Sequence, residues 1–91
     1  MPRWFRPLAE HGHADAQGNL GIMYATGQGV PRDDVQAHMW FSLAASRLPM
    51  GELHDMAVEA RDKIASVLSP DQIAEAQRLA HDWEAAHPRE P

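Results

Sequence analysis

Apolar residues along this chain recur with the 3.6-residue period of a helix. Polar and glycine-rich punctuation divides that pattern into four segments between Ala14 and Ala86, preceded by a short apolar stretch at residues 3–11. In the first of the four, Gln17, Leu20, Gly21 and Tyr24 fall at i, i+3, i+4 and i+7, one stripe of a helix over residues 14–26. Gly27 and Gly29 end it, because glycine takes the left-handed conformation common just past a helix C-terminus. The second segment starts at Asp33, whose side chain is an acceptor for orphan backbone amides, and Gln36 three residues on gives a capping-box pattern. Val35, Met39, Trp40, Leu43 and Ala44 trace its apolar face. Residues 28–32 between the two allow only a tight reversal, so the pair reads as an antiparallel helical hairpin.

The third segment, residues 52–68, repeats the period at Leu53, Met56, Ala57, Ala60, Ile64 and Val67 or Leu68. Ser69-Pro70-Asp71-Gln72 announces the fourth with a Ser N-cap, Pro at the first helical position, an acid near the positive helix end, and Gln to close the box. Its face runs through Ile73, Ala76, Leu79 or Ala80, and Trp83, and residues 85–91 read as a fraying tail.

An internal repeat adds an architectural clue. Trp4-Phe5 recurs as Trp40-Phe41 at an offset of 36 residues, and Ala9 matches Ala45 at the same offset. That spacing suits stacked helical hairpins. The length, 91 residues, fits one compact domain and disfavours a roomy enclosed active site. With 44% hydrophobic but only 7% aromatic residues, the core draws on Ala, Leu, Met and Ile, which suits closely packed helices.

At this point the residues resemble the Sel-one-like repeat family, a relative of the tetratricopeptide repeats. The matching string is Ala14, Ala16, Gln17, Leu20, Gly21, Tyr24, Gly27, Gly29, Val30, Asp33, Ala37, Trp40, Ala44 and Ala45. The resemblance implies an all-α, alpha-alpha superhelix (solenoid) of about two and a half repeats in a single domain: a partial repeat at 3–11, a full one at 12–48, a degenerate C-terminal capping repeat at 49–86, and a tail at 87–91. Terminal repeats are expected to be atypical, because one face meets water and not another repeat. Two departures stand out. Pro7-Leu8 takes the place of the family's Lys-Ala, and proline inside a helix costs roughly 3 kcal/mol unless it lies in the first turn. Leu48 stands where a glycine is usual and Gly51 follows, so the next connection is longer.

Charge and candidate chemistry narrow the function classes. A formal charge of -5 lacks the basic excess behind most nucleic-acid affinity. With no Cys there is no disulfide, thiolate nucleophile or Cys-based zinc site. The opening MPRWFRPLAEHG has no apolar core of signal-peptide length, and no run approaches the ~18 apolar residues of a spanning helix. The expectation is a soluble chain without a targeting segment, the cytoplasm being favoured. His11 and His13 lack the spaced carboxylates or further histidines of a metal site, and His38, His54, His81 and His87 read as scattered exposed positions. Asp33-Asp34 suit a helix start, while Glu59, Arg61, Asp62 and Lys63 suit a solvated face. Trp4, Trp40 and Trp83 lie on packing stripes without strongly basic flanks, which points away from a membrane surface. No cofactor, metal ligand or catalytic residue is assigned.

The leading expectation is a protein-interaction module whose partner or peptide meets a concave surface lined by the first helix of each hairpin. By resemblance to tetratricopeptide packing, the partner-binding positions are Asp15, Asn19 and Ile22, off the buried stripe. One rival is a small hydrolase. Family members with cysteines in every repeat are linked to β-lactams, and the absence of Cys weighs against that activity here. Another is a structural subunit or fragment of a larger repeat assembly. Trp4, Phe5 and Leu8, from a repeat whose first helix is missing, then offer an apolar surface for self-association.

Overall fold

Four helices and no strand run through residues 13–88, the part of the chain that the computed structural model describes. They are α1 (Ala14–Thr26), α2 (Asp34–Arg47), α3 (Glu52–Ala65) and α4 (Pro70–Ala86). The partial repeat at 3–11, and with it Trp4, Phe5 and Leu8, lies outside the described residues.

Local chemistry sets several of the helix ends. Gly27 closes α1 at φ 75°, and the N–H groups of Gly27 and Gln28 both donate to Met23 O, which satisfies carbonyl valence that the helix end leaves open. Asp33 caps α2 by accepting from the Gln36 N–H at 3.1 Å. The second half of the expected box is replaced: the Asp33 N–H donates to Tyr24 O at 2.9 Å. That bond ties the start of α2 to the end of α1 and fixes the reversal. At α4 the box is complete, with Ser69 Oγ accepting from Gln72 N–H at 3.2 Å and Gln72 Oε1 accepting from Ser69 N–H at 2.9 Å. Pro70 occupies the first turn, where its missing N–H costs no hydrogen bond.

The architecture centres on α2. A helix buried on one side shows an apolar stripe, whereas one surrounded by others is apolar nearly all round. In α2 the buried set is Ala37, His38, Met39, Trp40, Phe41, Leu43, Ala44 and Ala45, well beyond the stripe that periodicity selects, while Val35 of that stripe is only half-buried. On one side, Met39, Trp40 and Leu43 meet Ala16 and Leu20 of α1, with Tyr24, Leu79, Ala80 and Trp83 packed against them. On another, Ala44 and Ala45 meet Ala57 of α3, with Leu48 and Val58 at the edge. α3 and α4 each pack on α2 more extensively than on each other.

Three readings of the sequence are revised. α3 stops at Ala65 instead of reaching Leu68: Ser66 Oγ turns back onto Lys63 O, and Val67 is exposed. α4 continues through Ala86, and His87 does not fray. Its ring stacks on Trp83 at 4.2 Å and its Nδ1 bonds Trp83 O. His38, read as an exposed position, is buried, because α2 has neighbours on the side where it points.

Candidate functional site

The face of α1 that turns away from Leu20 and Gly21 carries Ala14, Asp15, Gly18, Asn19 and Ile22, positions that share one side of a helix by their i, i+4 spacing. Across from it α3 presents Leu53, Met56, Ala57 and Ala60, and Phe41 and Ala44 of α2, with Leu48 just past its end, supply a floor. Together these residues line an open groove of about 500 Å³. Small residues, Gly18, Ala44, Ala57 and Ala60, sit among the larger ones of the lining. A Cβ added at Gly18 would meet nothing within 4 Å, so the space above that glycine is open.

Asp15, Asn19 and Ile22 all lie on one wall of this groove and all are exposed. Ile22 is 50% exposed. Asn19 Nδ2 donates to Asp15 O at 3.0 Å, which holds its amide along the helix. The opposite wall was not legible as a site. Leu53 and Met56 sit on the periodic face of α3 that reads as core, yet they are 57% and 56% exposed. Ala57 is the one fully buried residue of α3, where it meets α2, and Leu53, Met56 and Ala60 of the stripe line the groove. Asp15 is the one titratable residue of the described lining.

Residues 14–47 match the Sel1 repeat family model. This segment is a Sel1 repeat. No curated protein and no solved structure matches the chain.

The signature of the Sel1 repeat is spent largely on scaffold. Ala16, Gln17, Leu20, Gly21, Ala37, Trp40, Ala44 and Ala45 are buried, Gly27 and Gly29 take positive φ, and Asp33 caps α2. Asp15, Gly18, Asn19, Ile22, Leu53 and Met56 fall outside that signature. The groove walls are thus free to vary while the repeat keeps its fold, the usual relation between a scaffold and the function it carries.

Polar side chains secure the joints around the Sel1 repeat. His54 Nδ1 lies 2.8 Å from Ala45 O, supplying a donor to a carbonyl in the last turn of α2, where no glycine cap follows. Arg47 holds the C-terminal end of α4: its guanidinium bonds Glu84 at 3.1 Å and His87 O at 3.4 Å, and lies 5.0 Å from the centre of the Trp83 ring. Among the described residues no cluster of His, Cys, Asp or Glu is placed to hold a metal, and no helix is long and apolar enough to cross a membrane.

The buried His38 is expected to make folding stability depend on pH. Burial pushes its pKa below the ordinary 6.5, the nearby Arg61 charge lowers it further, and Asp62 opposes both. Ser42 Oγ lies 3.4 Å from its Nδ1. The unfolded chain therefore binds a proton at this position more readily than the folded one, and stability rises with pH across the interval between the two pKa values. Above 6.5 the contribution is fully present, and it is lost as pH falls from there through the folded value. Urea midpoints taken at about pH 8 and about pH 5 should fall more for the natural chain than for His38→Gln, which does not titrate. Parallel curves would remove His38 as the cause.

Proposed function

We propose that the chain is a protein-interaction module and that a partner segment lies in the groove between α1 and α3, against Asp15, Asn19 and Ile22. The observation that carries this reading is the pairing of three large exposed apolar side chains, Ile22, Leu53 and Met56, across one open groove. Isolated exposed apolar residues are ordinary, but a contiguous set over an apolar floor marks a surface that gains by being covered. The Sel1 repeat supports the same class of role. A hydrolase instead needs convergent titratable groups in its cleft, and the described lining is mainly aliphatic.

A photo-reactive residue placed at Asn19 and, separately, at Glu75 on α4 tests the location. Exposed to lysate of the source cell, the Asn19 probe should capture a discrete partner that the Glu75 probe does not. Capture through Glu75 alone, or an identical background from both, would refute the groove as the interaction surface.

A further inference from the structure

Beside the groove acidic side chains outnumber basic ones, with Lys63 the exception on α3. Asp15 stands on the α1 wall, and on α3 Glu52 and Glu59 flank the exposed Met56 at i−4 and i+3, with Asp55 beyond them. Most other acids of the described residues are already engaged: Asp34 with Arg32, Glu84 with Arg47, Asp62 with Arg61, and Glu75 and Asp82 with Arg78. None of Asp15, Glu52, Asp55 and Glu59 has an ion-pair partner among the described residues, and Lys63 is the only Lys or Arg of α3 outside an ion pair. An apolar trough with an acidic rim favours a partner that is apolar along its middle and cationic along its sides.

The groove also discriminates by backbone. Its walls are helices whose N–H and C=O groups are bonded within themselves, so they offer no ladder to an extended strand, whose own amides would be left unpaired over an apolar floor. A helix brings its backbone bonds with it. Gly18, Ala44, Ala57 and Ala60 reduce side-chain bulk along the groove, which favours the approach of a third helix, and Met56 adapts its shape to whatever stripe is presented.

We infer that the groove takes an amphipathic helical segment of a partner protein, with its apolar stripe on Ile22, Leu53 and Met56 and Lys or Arg flanks against Asp15, Glu52 and Glu59. This rests on the groove being the interaction surface proposed above.

Selection of a displayed library of random peptides of about 16 residues, roughly four helical turns, against the full chain tests it. Gly18→Phe serves as the blocked control. The site has room for a side chain, so the ring enters the groove and not the scaffold, and a thermal melt confirms that the variant is folded. Enriched peptides should carry apolar residues at i, i+3 or i+4, and i+7 with a net positive charge, should gain helical circular dichroism on binding, and should be lost on Gly18→Phe. Reversing two rim charges, Glu52→Lys with Glu59→Lys, should weaken the best of them about tenfold, the size expected when two surface attractions become repulsions. Acidic or proline-rich peptides that are lost on Gly18→Phe would overturn the inference about partner chemistry and leave the groove as the docking site. Peptides that bind Gly18→Phe equally well, or no enrichment at all, would overturn both. A concentration-dependent dimer that Gly18→Phe dissociates would assign the groove to a second copy of the chain and likewise reject a cationic partner.

Discussion

Trp40→Ala is expected to remove about 3–5 kcal/mol of folding stability, a large share of the roughly 5–15 kcal/mol that holds a natural domain together. Trp40 is 2% exposed and sits where α1, α2 and α4 meet, with Ala16, Leu20, Met39 and Leu43 around it and the Trp83 ring edge-on at 6.1 Å. Truncation opens a cavity that three helices must collapse into together, and it deprives Trp83 of the surface it packs on. One term works in the opposite direction. The Trp40 Nε1 is buried and has no hydrogen-bond partner among the described residues, so its removal recovers the desolvation cost of an unpaired donor. Trp40→Phe keeps most of the ring volume and also drops that donor, so it should cost much less than Trp40→Ala. Urea denaturation followed by circular dichroism measures both. An alanine variant within about 1 kcal/mol of the natural chain would mean that Trp40 is not the keystone of the packing.

The end of α1 and the start of α4 were legible because their causes are local. Ser69-Pro70-Asp71-Gln72 carries its whole capping geometry within four residues, and the box forms as the sequence implies. Gly27 needs only its own positive φ and the two bonds to Met23 O. Where a cause is tertiary, the sequence underdetermines it. His38 is polar by type and reads as exposed, but its burial follows from α2 lying at the centre, which no single-helix pattern reveals. Leu53 and Met56 show the reverse case. Periodicity finds an apolar stripe but not what covers it, and among the described residues only Ala57 of α3 is fully covered, against α2. His87 depends on Trp83 and on Arg47 arriving from another helix.

The candidate site was half legible for the same reason. Asp15, Asn19 and Ile22 are expected from the resemblance to tetratricopeptide packing, in which positions off the buried stripe of the first helix face a groove. Their opposing wall depends on where α3 docks, and that docking is set by Ala44 and Ala45 meeting Ala57, contacts between small residues that carry little sequence signal.

Two glycines of α1 lie three residues apart and should respond oppositely to the same substitution. In an exposed helix interior, Gly→Ala stabilises by roughly 1 kcal/mol, because alanine loses less backbone entropy on folding. Gly18 is half-buried, but a Cβ there finds open space, so Gly18→Ala should raise the melting temperature. Gly21 has no such space. A Cβ there would stand 2.8 Å from Cε1 and 2.9 Å from Cδ1 of Phe41, inside any tolerable contact. The Phe41 ring is itself buried and forms part of the groove floor, so it cannot rotate away into water without opening the α1–α2 joint. Overpacking of this kind costs typically 1–3 kcal/mol, enough to outweigh the propensity gain and leave Gly21→Ala less stable than the natural chain. Phe41→Leu removes ring atoms that crowd Gly21 and should partly rescue it, so the double variant loses less than the sum of the single losses. A Gly21→Ala variant as stable as Gly18→Ala would show that α1 and α2 approach less closely than the Phe41 contact implies.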